Sequence, residues 1–244
     1  MRWTLFSIVF WFLFAITSLA IYSVAMLVHL CTFLFDRDHR VLHQVLCFWS
    51  SFYFIANPLW RVRITGKENA KKGKPYVMCS NHQSFGDILI LGGTYFSFKW
   101  VSKQSVFKVP LIGWAGKVCE YIPIVRGDKS SAEQMAADCK RWLARGISVM
   151  IFPEGTRSTD GAIGPFKMGA FRVAREAGVE VLPIVLDGTG NVLPKHGWVL
   201  RDKVNAKVHI LPPMDVTSHS TVEEAAEAVR SVMLAELEKM RAPN

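Results

Sequence analysis

The chain has 244 residues, half of them apolar and a fifth charged, and carries a net charge of +9. That length holds one globular domain and a short additional segment. The five cysteines (Cys31, Cys47, Cys79, Cys119, Cys139) are irregularly spaced with no C-x-x-C pair, which excludes a disulfide framework and a zinc module, and with no aromatic RNA-binding signature the positive charge does not point to nucleic acid.

From Trp3 to Phe35 there is no Asp, Glu, Lys or Arg. As a helix this run would reach about 50 Å, against about 30 Å of bilayer hydrocarbon. It is long enough to span with tilt, or to enter, bend and return, and too long for a signal peptide. The cluster Asp36-Arg37-Asp38-His39-Arg40 marks an interface. A second apolar segment, Val41 to Trp60, carries Trp49, Tyr53 and Trp60, which suit a headgroup boundary, together with Gln44, Asn57 and Pro58. It reads as an interfacial or re-entrant helix. Residues 1–60 are thus expected to anchor the chain in a membrane, with residues 61–244 as the globular domain. The first 60 residues contribute only +1, through Arg2, Arg37 and Arg40 against Asp36 and Asp38, so the positive charge sits on that domain. A tethered basic domain is drawn to anionic lipid, by about 1 kcal/mol per well-placed Lys or Arg. The cysteine usage fits a reducing cytoplasmic face.

After Pro58 short β-like runs alternate with helical stretches. Strands are predicted at Leu59–Thr65, Tyr76–Ser80, Phe98–Ser102, Tyr121–Val125, Ile147–Phe152, Val179–Leu186 and Val204–Leu211. A capping-box pattern from Ser131 to Gln134 opens one helix, which Gly146 closes. Lys167 to Ala177 forms another, and Thr221 to Glu224 caps a long C-terminal helix reaching about Arg241. The alternation predicts an α/β fold: a central mixed, largely parallel sheet flanked by helices, behind the N-terminal apolar segment.

Two constellations carry chemistry. Asn81-His82-Gln83-Ser84-Phe85-Gly86-Asp87 follows the second strand. Positions five apart do not meet on a continuous helix, but they can at a strand-to-helix turn. There Asp87 would fix the tautomer of His82 and stabilise its imidazolium, so that the ring could take a proton from a hydroxyl. Asn81 would cap the helix or hold the turn. Phe152-Pro153-Glu154-Gly155-Thr156-Arg157-Ser158 ends the fifth strand, at the carboxyl edge where α/β sheets bind ligands. Arg157 offers a planar fork for phosphate, and Glu154 could hold Arg157 or a glycerol hydroxyl. Lys167 is open to a phosphate contact or to a solvent-facing helical turn. Cys79, three residues before His82, is either a buried strand residue or a nucleophile. His29, His43, His196, His209 and His219 lack comparable surroundings, and the absence of G-x-S-x-G argues against a serine-dependent lipase or thioesterase.

These blocks resemble the glycerolipid acyltransferase superfamily, and within it the 1-acyl-sn-glycerol-3-phosphate acyltransferases, which show N-H-x4-D followed by F-P-E-G-T-R-S. Ile124-Val125-Arg126-Gly127, Val181-Leu182-Pro183-Ile184-Val185 and the stretch from Val101 to Gly113 resemble further family blocks, and the likeness runs over roughly residues 60–215. The resemblance implies acyl transfer from a thioester, acyl-CoA or acyl carrier protein, to the sn-2 hydroxyl of lysophosphatidic acid. Lysophosphatidylglycerol or another lysophospholipid is the alternative acceptor, and a thioesterase or a lipid-binding protein the alternative class. It implies His82 as general base, Asp87 as its orienting partner, and Arg126, Glu154, Gly155, Thr156, Arg157 and Lys103 as acceptor-binding residues. Pro183 would shape the acyl-donor side. A thioester is already activated, so neither a cofactor, a metal nor a covalent acyl-enzyme is expected.

Overall fold

The computed structural model describes residues 2–193 and 197–242. His196 lies outside them. Seven strands form one sheet in the order β1-β7-β6-β2-β5-β3-β4. They are β1 (Trp60–Thr65), β2 (Val77–Ser80), β3 (Phe98–Lys103), β4 (Ile122–Ile124), β5 (Ser148–Ile151), β6 (Val181–Asp187) and β7 (Val204–Ile210). Each falls on a predicted run. All neighbouring pairs are parallel except β6 and β7, which run antiparallel. The sheet is therefore mixed and largely parallel, as expected. Pro183 is tolerated in β6 because the β7 ladder stops at Ile184–Ile210, and beyond it only the carbonyl of Pro183 is used, by the N–H of Leu211 at 2.9 Å.

The pleat sends alternate residues to two cores. Val77, Cys79, Val149 and Ile151 face one side, where Trp142 and Cys139 of α5 (Lys129–Ala144), Phe171 of α6 (Gly169–Ala177) and Val229 and Met233 of α7 (Val222–Arg241) cover them. Tyr76, Met78, Trp100 and Met150 face the other side, with Leu89, Ile90 and Leu91 of α3 (Gly86–Gly92) and residues of the first two helices. α4 (Ile112–Val118) lies beside them after a 3-10 turn at Gln104–Lys108.

Two helix starts differ from expectation. Asp128, not Ser131, caps α5: its carboxylate accepts the N–H of Ser131 at 2.8 Å. The Ser131 hydroxyl is instead committed to the N–H of Val125, at 2.8 Å. α6 begins at Gly169, because the N–H of Lys167 is tied to the carbonyl of Pro153 at 2.8 Å and stays out of the helix. The box at Thr221 and Glu224 forms as its spacing requires.

The uncharged run is one helix, α1 (Arg2–Thr32), followed by α2 (Arg40–Ala56). α1 is long and apolar enough to cross a membrane. One stripe of it, Ser7, Phe10, Phe14, Ser18 and Ala25, is buried against the rest of the protein. Near its start, Trp3 and Trp11 donate to Asp202 at 3.1 Å and to the carbonyl of Trp198 at 2.8 Å, and Ser7 accepts the N–H of Leu200 at 2.8 Å. Further on, Tyr22 meets Trp114 of α4, and Ala25 packs with Leu42 and Cys119. The helix therefore runs along the sheet domain for most of its length. Its other face leaves Leu5, Ile8, Val9, Phe12, Leu13, Ile16 and Leu19 exposed, and Phe48, Phe52 and Ile55 of α2 are exposed as well. The turn between the helices is pinned by Lys99, whose buried ammonium donates to the carbonyls of Asp38 at 2.8 Å and Cys119 at 2.6 Å.

Candidate active site

Four adjacent parallel strands, β2, β5, β3 and β4, end at the same edge of the sheet, and each delivers residues from its carboxyl end. β2 leads into the Asn81–Asp87 turn, β5 into Phe152–Ser158, β3 ends at Lys103, and β4 leads to Arg126. Side chains far apart in sequence meet there because parallel pairing aligns the strand ends, with Cys79 opposite Ile151 in β5 and Lys103 opposite Ile124.

The first turn commits nearly every residue. Asn81 makes a reciprocal pair with the backbone of Leu186, its amide donating at 2.8 Å and its oxygen accepting at 2.7 Å. It holds the turn to β6 and does not cap α3. Gln83 accepts from Thr189 at 3.0 Å and donates to the carbonyl of Leu186 at 3.2 Å. Ser84 donates to the carbonyl of Thr189 at 2.7 Å and accepts from Gly86 at 2.9 Å. A Cβ on Gly86 would stand 2.7 Å from Val192, so no larger residue fits.

Asp87 is fully buried on the first turn of α3. Its Oδ2 accepts the Nδ1–H of His82 at 2.6 Å and the backbone N–H groups of Gln83 at 2.6 Å and Ser84 at 2.9 Å. A carboxylate can only accept, so Nδ1 carries a proton, and in the neutral ring Nε2 then holds the lone pair. The imidazole stacks on Phe152 with ring centres 4.0 Å apart and an interplanar angle of 15°, and Trp100 stacks behind Phe152.

The second block grips the backbone of His82 from both sides. Glu154 Oε1 accepts its N–H at 2.9 Å, and its carbonyl accepts the N–H of Ser158 at 2.7 Å. Glu154 Oε2 accepts the N–H of Gly164, also at 2.9 Å. Burial pushes the Glu154 carboxyl above its ordinary range, and the two N–H donors oppose the shift. The carboxylate expected to hold Arg157 or a glycerol hydroxyl thus also supports the backbone of the histidine, from a turn with Gly155 at φ +67°.

His82 lines a cavity of about 840 Å³, within the usual range for a small-molecule site. Two groups stand out among the other lining residues, which also include Asp128 and His43. Lys103, Arg126, Lys129 and Lys167 are exposed cations, while Phe107, Tyr121, Cys47 and Leu46 line an apolar interior closed by Trp11, Phe14, Ile21 and Tyr22 of α1. Of the residues singled out from sequence, His82, Lys103, Arg126 and Gly155 line the cavity. Asp87 and Glu154 stand behind His82, and Thr156 and Arg157 belong to the adjoining loop. Lys167 joins the lining, its side chain lying across Gly155, where a Cβ would be 3.0 Å from Nζ. Cys79 is fully buried in the sheet core and does not line this cavity. The stacking role of Phe152 and the walls from α1 were not read from sequence. The phenylalanine at the end of β5 was the only local signal for the first, and there was none for the second.

The Acyltransferase family matches residues 61–187. A chloroplastic 1-acyl-sn-glycerol-3-phosphate acyltransferase of Arabidopsis thaliana is 38% identical over 82% of this chain and 58% of its own length. An enzyme of the same name from Pseudomonas aeruginosa is 37% identical over 57% of this chain and 53% of its own. The chain thus spans little more than half the length of these curated relatives. The crystal structure of the 1-acyl-sn-glycerophosphate (LPA) acyltransferase PlsC from Thermotoga maritima superposes with a TM-score of 0.81 at 25% identity, covering 100% of this chain and 98% of that one. The matched region holds both motif blocks and five of the seven strands in full, and on these grounds the chain belongs to the acyltransferase family.

Proposed function

We propose that this protein transfers a fatty acyl group from a thioester, acyl-CoA or acyl carrier protein, to the sn-2 hydroxyl of lysophosphatidic acid, giving phosphatidic acid. The observation that carries this reading is the His82–Asp87 pair at 2.6 Å, set in a cavity that joins exposed cations to an apolar interior. Nε2 of His82 takes the hydroxyl proton as the oxygen attacks the thioester carbonyl, and Asp87 stabilises the imidazolium that forms. Collapse of the tetrahedral intermediate expels the thiol, which recovers the proton from the ring. General-base assistance of this kind contributes about 10²–10⁴ in rate. The chemistry calls for no metal and no enzyme-bound acyl group.

Lys103, Arg126 and Lys167 bind the acceptor phosphate at the cavity opening, with Arg157 adding charge from the adjoining turn. The apolar interior takes an acyl chain, each buried methylene contributing about 0.8 kcal/mol. In this reading residues 1–60 also hold the protein at the membrane. α1 follows the globular domain and immerses its exposed apolar face, which lets both lipids reach the cavity from a cytoplasmic leaflet. Incubation of detergent-solubilised protein with labelled acyl-CoA and a panel of lysophospholipids tests the proposal. Labelled phosphatidic acid from lysophosphatidic acid supports it. Free acid made without acceptor would identify a thioesterase, turnover preferring lysophosphatidylglycerol a different acceptor, and no turnover a binding protein.

A further inference from the structure

We propose that Arg230, on the C-terminal helix α7, is a positioning residue for His82, acting through the loop between Gly155 and Lys167. The inference rests on His82 being the general base. The loop has no regular secondary structure; backbone bonds from Ser158 to His82 and from Lys167 to Pro153 hold its ends, and side chains hold the stretch between. Arg230 Nε donates to the carbonyl of Gly164 at 3.0 Å and Nη2 to that of Ile163 at 3.2 Å, a fork spanning two successive carbonyls, while Nη1 pairs with Glu227 at 3.0 Å. The N–H of Gly164 donates in turn to Glu154 Oε2, and Glu154 Oε1 takes the N–H of His82, each at 2.9 Å. An unbroken path of hydrogen bonds therefore joins the guanidinium to the amide of the histidine.

The path has little slack. Glu154 is buried, and a Cβ on Gly164 would already lie 3.3 Å from its Oε2. If Gly164 moves, the carboxylate loses one of its two backbone N–H donors and is free to turn, and the ring stacked on Phe152 turns with the backbone it hangs from. Arg241 makes a parallel attachment, donating to the carbonyl of Gly161 at 2.9 Å and to Asp187 at 2.9 Å. Arg230, by contrast, holds Gly164, whose N–H donates to Glu154. A misplacement of about 1 Å can cost about 10²-fold in rate, so a partial loosening is expected to cost about tenfold.

The test compares R230A, R230K and E227A, using steady-state kinetics with acyl-CoA and lysophosphatidic acid, thermal unfolding, and amide hydrogen exchange over the segment containing His82. H82A runs alongside. The expected result for R230A is a kcat about tenfold lower, a KM for acyl-CoA within about twofold, and faster exchange at His82 and Gly164 with α7 still protected. R230K should recover part of the loss, and E227A, which leaves the carbonyl fork in place, should match the wild type. If R230A does not fold, R230Q takes its place with the same expectations. Wild-type kcat and unchanged His82 exchange in R230A would overturn the proposal, as would an equal loss in E227A. An active H82A would instead overturn the general-base reading, while the exchange result would still report whether the brace exists.

Discussion

Replacing Asp87 by asparagine keeps the shape of the site and removes one charge. The side-chain oxygen of D87N can still accept the three N–H groups now bound by Oδ2, and its amide would occupy the position of Oδ1, which has no hydrogen-bond partner among the described residues. Bonds to a charged acceptor contribute about 1.5–3 kcal/mol and neutral ones about 0.5–1.5, so each bond weakens by about 1 kcal/mol. Two of the three affect the fold equally before and during reaction. The bond to His82 differs, because the ring becomes cationic in the transition state. A unit charge pair about 4 Å apart at an effective dielectric of about 20 attracts by about 4 kcal/mol, and most of that is lost in D87N. A penalty of about 3–4 kcal/mol on the transition state corresponds to about 10²–10³ in kcat. Initial rates of phosphatidic acid formation measure the effect, with thermal unfolding as the control for folding and KM for lysophosphatidic acid expected within about threefold of wild type. A folded D87N protein with kcat within about threefold of wild type would refute the reasoning, since the charge would then do nothing for the histidine.

Three further outcomes follow from the geometry. C79S should keep activity within about threefold, because the thiol is buried in the sheet core, does not line the cavity, and is held protonated by burial far above the ordinary thiol range; a stable acyl adduct on Cys79 would contradict this. R126A and K167A should each raise KM for lysophosphatidic acid, by about tenfold, and leave turnover of acceptors lacking a phosphate unaffected; equal effects on both acceptor types would remove these residues from the phosphate site. Lys99 is held by burial at about 8, below the ordinary lysine range, so between pH 8 and 10 the unfolded chain binds more protons at this position than the folded one. Its contribution to stability therefore rises with pH across that window. The unfolding midpoint of the wild type should gain on that of K99M from pH 8 to 10, and parallel curves would show that the ammonium is not burdened by burial.

The sheet was legible because its strands are short, apolar and separated by turn residues, and because parallel strands buried on both faces leave few polar positions to confuse them. The pairing of His82 with Asp87 was also legible, since both lie within one turn and the break between β2 and α3 allows only a local contact. Residues whose function depends on the far side of the molecule were less so. Glu154 reads from sequence as a ligand for Arg157 or for substrate, and nothing in F-P-E-G-T-R-S says that its two oxygens also reach His82 and Gly164. Ser131 fits a capping box as well as Asp128 fits a cap. The choice is made by the N–H of Val125, which needs an acceptor in a turn no local pattern reveals. The apolar character of α1 predicted contact with lipid. That Trp11, Phe14 and Tyr22 also wall the cavity follows from docking against α2, α4 and residues 198–202, contacts spanning most of the chain. Arg230 carries no motif signal at all and becomes visible only through the carbonyls it holds.

The most direct test of the central claim is the rate at which folded H82A forms phosphatidic acid from acyl-CoA and lysophosphatidic acid. With Asp87 and the lipid-binding walls intact but no imidazole to accept the hydroxyl proton, the account predicts a fall in kcat of about 10³-fold or more, with acyl-CoA binding retained. A rate within about tenfold of wild type would contradict it and require a different group to activate the acceptor.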